Sequence, residues 1–183
     1  MANNYSEKGY NKENMARAIG RSLPISFKQS IELCNFIRNK KVNYAKEVLS
    51  NIANQKLALP FRRFNSNMGH KKKIMAGRYP KKTSTKILDL INHVEANAQF
   101  KGLNTANLVI THINANKASK VAHFGRKRSR EAKRTHVEII VQEKTDEKTS
   151  VKRGKEVKSD KKETKVQESK VEGKSKPEIA KQN

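Results

Sequence analysis

Eight basic side chains, Lys117, Lys120, Arg126, Lys127, Arg128, Arg130, Lys133 and Arg134, share residues 114–134 with a single acid, Glu131. Ammonium and guanidinium groups at that density suit one kind of chemistry, displacing the counter-ions condensed on a polyanion and donating to its phosphate oxygens. A second cluster lies in residues 48–88, where Lys56, Arg62, Arg63, Lys71, Lys72, Lys73, Arg78, Lys81, Lys82 and Lys86 meet no acid at all. Aromatic rings are interleaved there, in Pro60-Phe-Arg-Arg-Phe64 and Gly77-Arg-Tyr-Pro80. Arginine forks fit phosphate and stack on bases, while Phe61, Phe64 and Tyr79 suit either core or contact. Ordinary surfaces mix both signs, so these basic residues are expected to touch RNA or DNA.

Catalysis finds little material. The histidines are His70, His93, His112, His123 and His136, and a ribbon symmetric about Phe124 puts His112 opposite His136. Two imidazoles fall short of the four ligands of a closed zinc site, and no HExxH spacing is present. Asp89 and Glu95 form no acid–base pair, and no glycine-rich phosphate loop occurs. The single cysteine, Cys34, excludes an intramolecular disulfide; it lies in an apolar helical stripe and reads as a small buried hydrophobe. No catalytic residue, metal or cofactor is expected. Two binding classes remain: a shaped RNA-binding protein, and a general nucleic-acid-coating protein of the chromatin type, for which charge alone suffices.

The elements that must position the clusters follow from hydropathy. Residues 15–23 alternate weakly as a strand and stop at Pro24. Ser26, with Gln29 as capping-box partner, opens a helix with stripe Phe27, Ile31, Cys34 and Ile37. Val42, Ala45, Val48, Leu49, Ile52 and Ala53 make a second helix, ending near residue 55 or 56 and antiparallel to the first. Thr83 or Ser84 caps a third, with Ile87, Leu90, Ile91, Val94 and Ala98 on one face and an end before Gly102. Leu108, Val109, Ile110 and Ile113 then face Val137, Ile139, Ile140 and Val141 as arms of a hairpin over 108–141. Between the arms, residues 114–134 hold only Val121, Phe124 and alanines as apolar material, so the ribbon is expected to project. With a turn near Phe124-Gly125, each arm beyond Ile113 is about ten residues, or roughly 35 Å. A ribbon that long needs another molecule for support.

The expected fold is α+β: a small antiparallel sheet of about three strands packed with three helices, one long projecting β-hairpin and a disordered C-terminal tail. Residues 1–14 are an N-terminal extension, 15–142 the RNA-binding domain, and 143–183 a Lys/Glu-rich tail whose valines are too sparse to form a face. The net charge is +24, and the tail's 13 basic and 9 acidic side chains leave 28 and 8, a net +20, to residues 1–142. Such a body needs counter-ions. No run of 18 apolar residues exists and residues 1–23 lack a signal-peptide centre, so a soluble intracellular protein is expected, with no membrane partner.

Several motifs in one order carry a resemblance: Ala18-Ile-Gly-Arg-Ser-Leu-Pro-Ile-Ser26, Leu59-Pro-Phe-Arg-Arg-Phe64, Gly69-His70, Gly77-Arg-Tyr-Pro80, Glu95-Ala-Asn-Ala98 and Thr135-His-Val-Glu138. Over residues 15–142 the chain resembles the large-subunit ribosomal protein family called L twenty-two in bacteria and L seventeen in eukaryotes. The insertion at 59–82 resembles the archaeal and eukaryotic branch. The resemblance implies a structural constituent of the large ribosomal subunit, in the cytoplasm, that binds large-subunit ribosomal RNA beside neighbouring ribosomal proteins. It also implies that the hairpin reaches the wall of the nascent-peptide exit tunnel, with a tip in 122–129. His123, Phe124, Gly125 and Arg126 would then meet the nascent peptide in passing.

Overall fold

The computed structural model describes residues 5–144, apart from Arg128 and the side chain of Lys127. Beyond Lys144, the tail expected over 143–183 lies outside the described residues. The order of elements is β1 (Met15–Leu23), α1 (Phe27–Ile37), α2 (Val42–Ala53), β2 (Leu59–Pro60), β3 (His70–Lys71), β4 (Met75–Arg78) and α3 (Lys81–Phe100). Then come β5 (Leu108–Lys117), β6 (Val121–Ala122), β7 (Glu131–Ala132) and β8 (Thr135–Glu143). The fold is α+β.

The main sheet is antiparallel in the order β1-β8-β5. Alternation along β8 decides its two faces: Val137, Ile139 and Val141 are fully buried toward the helices. On β1 their partners Ala16, Ala18 and Gly20 are small, which lets α3 lie close across that strand. The expected stripes of α2 and α3 are buried as read, through Leu49, Ile52, Ile87 and Ile91. On α1 the buried side is Ser30, Leu33, Cys34 and Ile37, with Phe27 and Ile31 only half-buried. That helix touches the sheet and also the 59–64 segment, so its buried face is rotated from the stripe alone.

Two expected caps are corrected. Ser26 is the N-cap of α1 but makes no side-chain cap bond, and Gln29 Oε1 instead accepts from Thr83 Oγ1 at 3.2 Å. Helix α3 starts at Lys81 behind Pro80, leaving Thr83 and Ser84 buried in its first turn rather than capping it. Pro80, at φ −76°, is itself the N-cap, so the helix starts three residues before the position that a Thr83 cap would give. At the other end Gly102, at φ 76°, closes α3 with its N–H on Gln99 O and the Leu103 N–H on Ala98 O.

The hairpin register also differs. The β5–β8 ladder pairs His112 with Ile140 and Asn116 with His136, so the two histidines are not opposite. A one-residue irregularity between Ile110 and His112, together with a tip turn built on the short helix Gly125–Lys127, moves the symmetry point past Phe124. Ala115, Ala118 and Thr135 are buried, so the unsupported part of the ribbon begins only after Ala118. There the ladder lapses and resumes as Val121·Ala132 and Ala122·Glu131.

Cys34 is 2 % exposed, and burial pushes its thiol up to about 12 from an ordinary 9.0. A thiol reagent should therefore label the native protein only as fast as it opens, and label denatured protein at once. Stability should fall as pH rises past about 9, where the unfolded chain loses a proton that the folded chain keeps. Denaturant melts on both sides of that pH check this.

Candidate nucleic-acid interface

Both basic clusters meet at the start of α1. One cavity of about 350 Å³ is lined by Lys28 and Gln29 of that helix, Phe61, Arg63 and Phe64 of the loop after β2, Arg78 of β4 and Lys133 of the hairpin. A second, of about 400 Å³, continues along Phe27, Lys28, Lys117, Lys120, Lys133 and Arg134. A third, of about 530 Å³, adds Lys82 beside Lys133 and Arg134. Ser26 and Lys133 line all three, so they form one cleft. The positive end of α1, with no acid in its first turn, reinforces the same sign.

Long-range bonds hold this cleft. Glu32 of α1, 4 % exposed, accepts from the backbone N–H groups of Arg62 at 3.2 Å, Arg63 at 2.7 Å and Phe64 at 2.8 Å. The carboxylate folds the loop inward by its backbone and leaves the Arg62 and Arg63 side chains exposed. Phe61 anchors the loop in the core, and its N–H donates to Ala76 O at 2.9 Å. On the hairpin side, Thr135 Oγ1 donates to Ile25 O at 3.0 Å, fastening Lys133 and Arg134 beside α1. Phe64 is half-buried, with Lys28 Nζ at 5.6 Å and Arg63 Cζ at 5.5 Å from its ring centroid.

The profile of the family described as ribosomal protein L22p/L17e matches residues 18–142, a span that holds both clusters and the cleft. The chain belongs to that family. Among relatives named large ribosomal subunit protein uL22, that of Archaeoglobus fulgidus is 37% identical over 147 residues, covering 76% of this chain and 95% of the relative. That of Staphylothermus marinus is 37% identical over 150 residues, covering 76% and 96%. That of Methanoculleus marisnigri is 40% identical over 139 residues, covering 72% and 91%. Members of the L22p/L17e family are structural ribosomal proteins, and this chain is not an enzyme.

Within this family member Lys71, Lys72, Lys73, Lys81, Arg126 and Arg130 are expected contacts that do not line the cleft, whereas Lys82, Lys120 and Arg134 do. Lys71, Lys72 and Lys73 ride the turn between β3 and β4, all exposed, with Lys71 Nζ at 5.4 Å from the Tyr79 ring centroid. Tyr79 is exposed and Phe61 is core, which divides the interleaved aromatics between the two roles left open. Lys81 and Lys82 occupy the first turn of α3, at the helix end where cations are disfavoured without an anion beside them. Arg126 and Arg130 are exposed near the hairpin tip, Arg134 is half-buried, and Arg128 lies outside the described residues. Lys120 pairs with Glu131, and that hydrogen bond holds the exposed Glu131 carboxyl below the usual glutamate range.

Lys28, which touches two of the three cavities, was not among the residues the sequence pointed to. It stands alone on the polar side of α1, outside any basic run. Its one signal is position: a cation in the first turn after Pro24-Ile-Ser26, where helix charge rules favour an acid.

Proposed function

We propose that this chain is a structural constituent of the large ribosomal subunit, in the cytoplasm, that binds ribosomal RNA through the cleft at the start of α1. The supporting observation is convergence: Lys28, Arg63, Arg78, Lys133 and Arg134, drawn from three separate stretches, line joined cavities held open by Glu32 and Thr135. The contact set is Arg62, Arg63, Lys71, Lys72, Lys73, Arg78, Lys81, Lys82, Lys117, Lys120, Arg126, Lys127, Arg128, Arg130, Lys133 and Arg134, with Lys28 added. The cations displace condensed counter-ions and cement RNA segments around the body. The hairpin, unsupported beyond Ala118, is the part that RNA must hold straight.

Its tip lies on the wall of the nascent-peptide exit tunnel, among neighbouring large-subunit proteins. Phe124 is 93% exposed with His123, Gly125 and Arg126 around it, a set of side chains that no part of this chain covers among the described residues. The test is sedimentation of tagged protein through sucrose gradients at low and high salt. A protein that binds RNA only through loose phosphate contacts loses roughly a thousandfold or more in affinity between about 50 and 200 mM salt. The expected result is retention in the large-subunit peak after the high-salt wash. Release to the top of the gradient would favour a general nucleic-acid coat.

A further inference from the structure

The cavity of about 350 Å³ at the start of α1 is walled in part by apolar side chains for which phosphate binding has no use. Phe61 is 4% exposed and belongs to the core, while Phe64 and Met68 are half-buried. The cations of the same lining, Lys28, Arg63, Arg78 and Lys133, are all exposed. Burial therefore sorts the lining, with rings and a thioether inside and positive charge at the mouth.

An anion is poorly placed at that depth. The backbone N–H groups that could receive one, those of Arg62, Arg63 and Phe64, all donate to Glu32, whose buried carboxylate adds a negative charge against the same loop. Two neutral polar side chains, both half-buried, remain available in the lining. The Ser26 hydroxyl makes no cap bond to α1. Gln29 Oε1 accepts from Thr83 Oγ1, which leaves the Gln29 amide N–H₂ as a donor. At the mouth, the Lys133 ammonium has no ion pair or hydrogen bond among the described residues.

An apolar wall, two neutral hydrogen-bonding groups and an unpaired cation outside them fit a flat neutral ring with a phosphate attached. We propose that this cavity takes one unpaired base of RNA, packed on Phe64 and Met68, with an acceptor edge on the Gln29 amide and Ser26 hydroxyl and its phosphate on Lys133. Lys28 Nζ and Arg63 Cζ, at 5.6 and 5.5 Å from the Phe64 ring centroid, add positive charge beside the stack. The volume falls within the ~300–1,000 Å³ of ordinary ligand pockets. A base inside a duplex has its faces stacked and its pairing edge closed, so only a nucleotide splayed out of a loop or bulge can enter. The proposal rests on the RNA-binding reading of the cleft and names the class of RNA that it takes, unpaired rather than duplex.

Two hairpin RNAs of equal nucleotide number, one fully paired and one with a bulge randomised in sequence, are used to displace a labelled ribosomal RNA transcript from the full chain. The bulged RNA should compete about tenfold better, as one base stacked on an aromatic ring predicts. Phe64→Leu should remove most of that gap and leave the salt dependence unchanged, because it takes away a ring and no cation. Ser26→Ala should narrow the gap about threefold at an unchanged melting temperature, since that hydroxyl makes no cap bond. Equal competition by the two RNAs, or a gap that folded Phe64→Leu and Ser26→Ala both leave intact, would overturn the base pocket and leave the cleft as a phosphate-binding surface. Failure of the wild-type chain to bind the transcript at all would overturn the RNA-binding reading itself.

Discussion

Lys28→Glu, Arg63→Glu and Lys133→Glu combined should lower affinity for a ribosomal RNA transcript on the order of a thousandfold, about tenfold for each reversed charge. All three line the 350 Å³ cavity and all three are exposed, so the fold should survive with a nearly unchanged melting temperature. Each lost phosphate contact should also lower the slope of log affinity against log salt by about 0.7 to 0.9. Three losses from one cavity therefore predict a drop in slope of roughly 2 to 3. Lys8→Glu, Lys12→Glu and Lys40→Glu combined change net charge equally, but none of these residues lines the cleft. Long-range attraction would weaken for both triples alike, whereas a collapse of slope for the cleft triple alone assigns the contacts to that place. Filter binding over a salt series measures both, and equal slopes for the two triples would remove the cleft from the interface.

The parts legible in the sequence are those set by local periodicity. Strand β1, helices α2 and α3 and the apolar arms of the hairpin follow from residue spacing, because their buried residues recur at the period of the element itself. What spacing does not carry is a decision made elsewhere in the chain. The hairpin register turns on an irregularity at Ile110/His112 and a turn built on Gly125–Lys127, neither of which has a hydropathy signature. The buried side of α1 is rotated because Glu32 faces the loop after β2, about thirty residues on. Both basic clusters were visible as acid-poor runs, yet their meeting at Lys28 depends on Thr135 bonding Ile25 across 110 residues. Composition carries the sign of the clusters; only tertiary bonds bring their cations together in one place.

Glu32→Ala should cost the protein about 3 kcal/mol, because it strands three backbone donors that the carboxylate now satisfies in a partly buried setting. The loss does not come from an ion pair. Among the described residues the bonds to Glu32 all come from backbone N–H groups, so the charge is there to organise the chain rather than to neutralise a side chain. With those bonds gone, Phe61 still holds the loop at one end through the core, but Arg63 and Phe64 lose their anchor. Cleft geometry should loosen before the fold does. RNA affinity should therefore fall about tenfold even at temperatures where the variant is fully folded, although the substitution removes a negative charge and plain electrostatics predicts tighter binding. Glu32→Gln separates the causes further: it also removes the charge but keeps one carbonyl acceptor, and it should lie between wild type and Glu32→Ala in both stability and affinity. Thermal melts together with RNA titrations decide the matter. Tighter binding by either variant would mean that charge, not loop position, governs the interface.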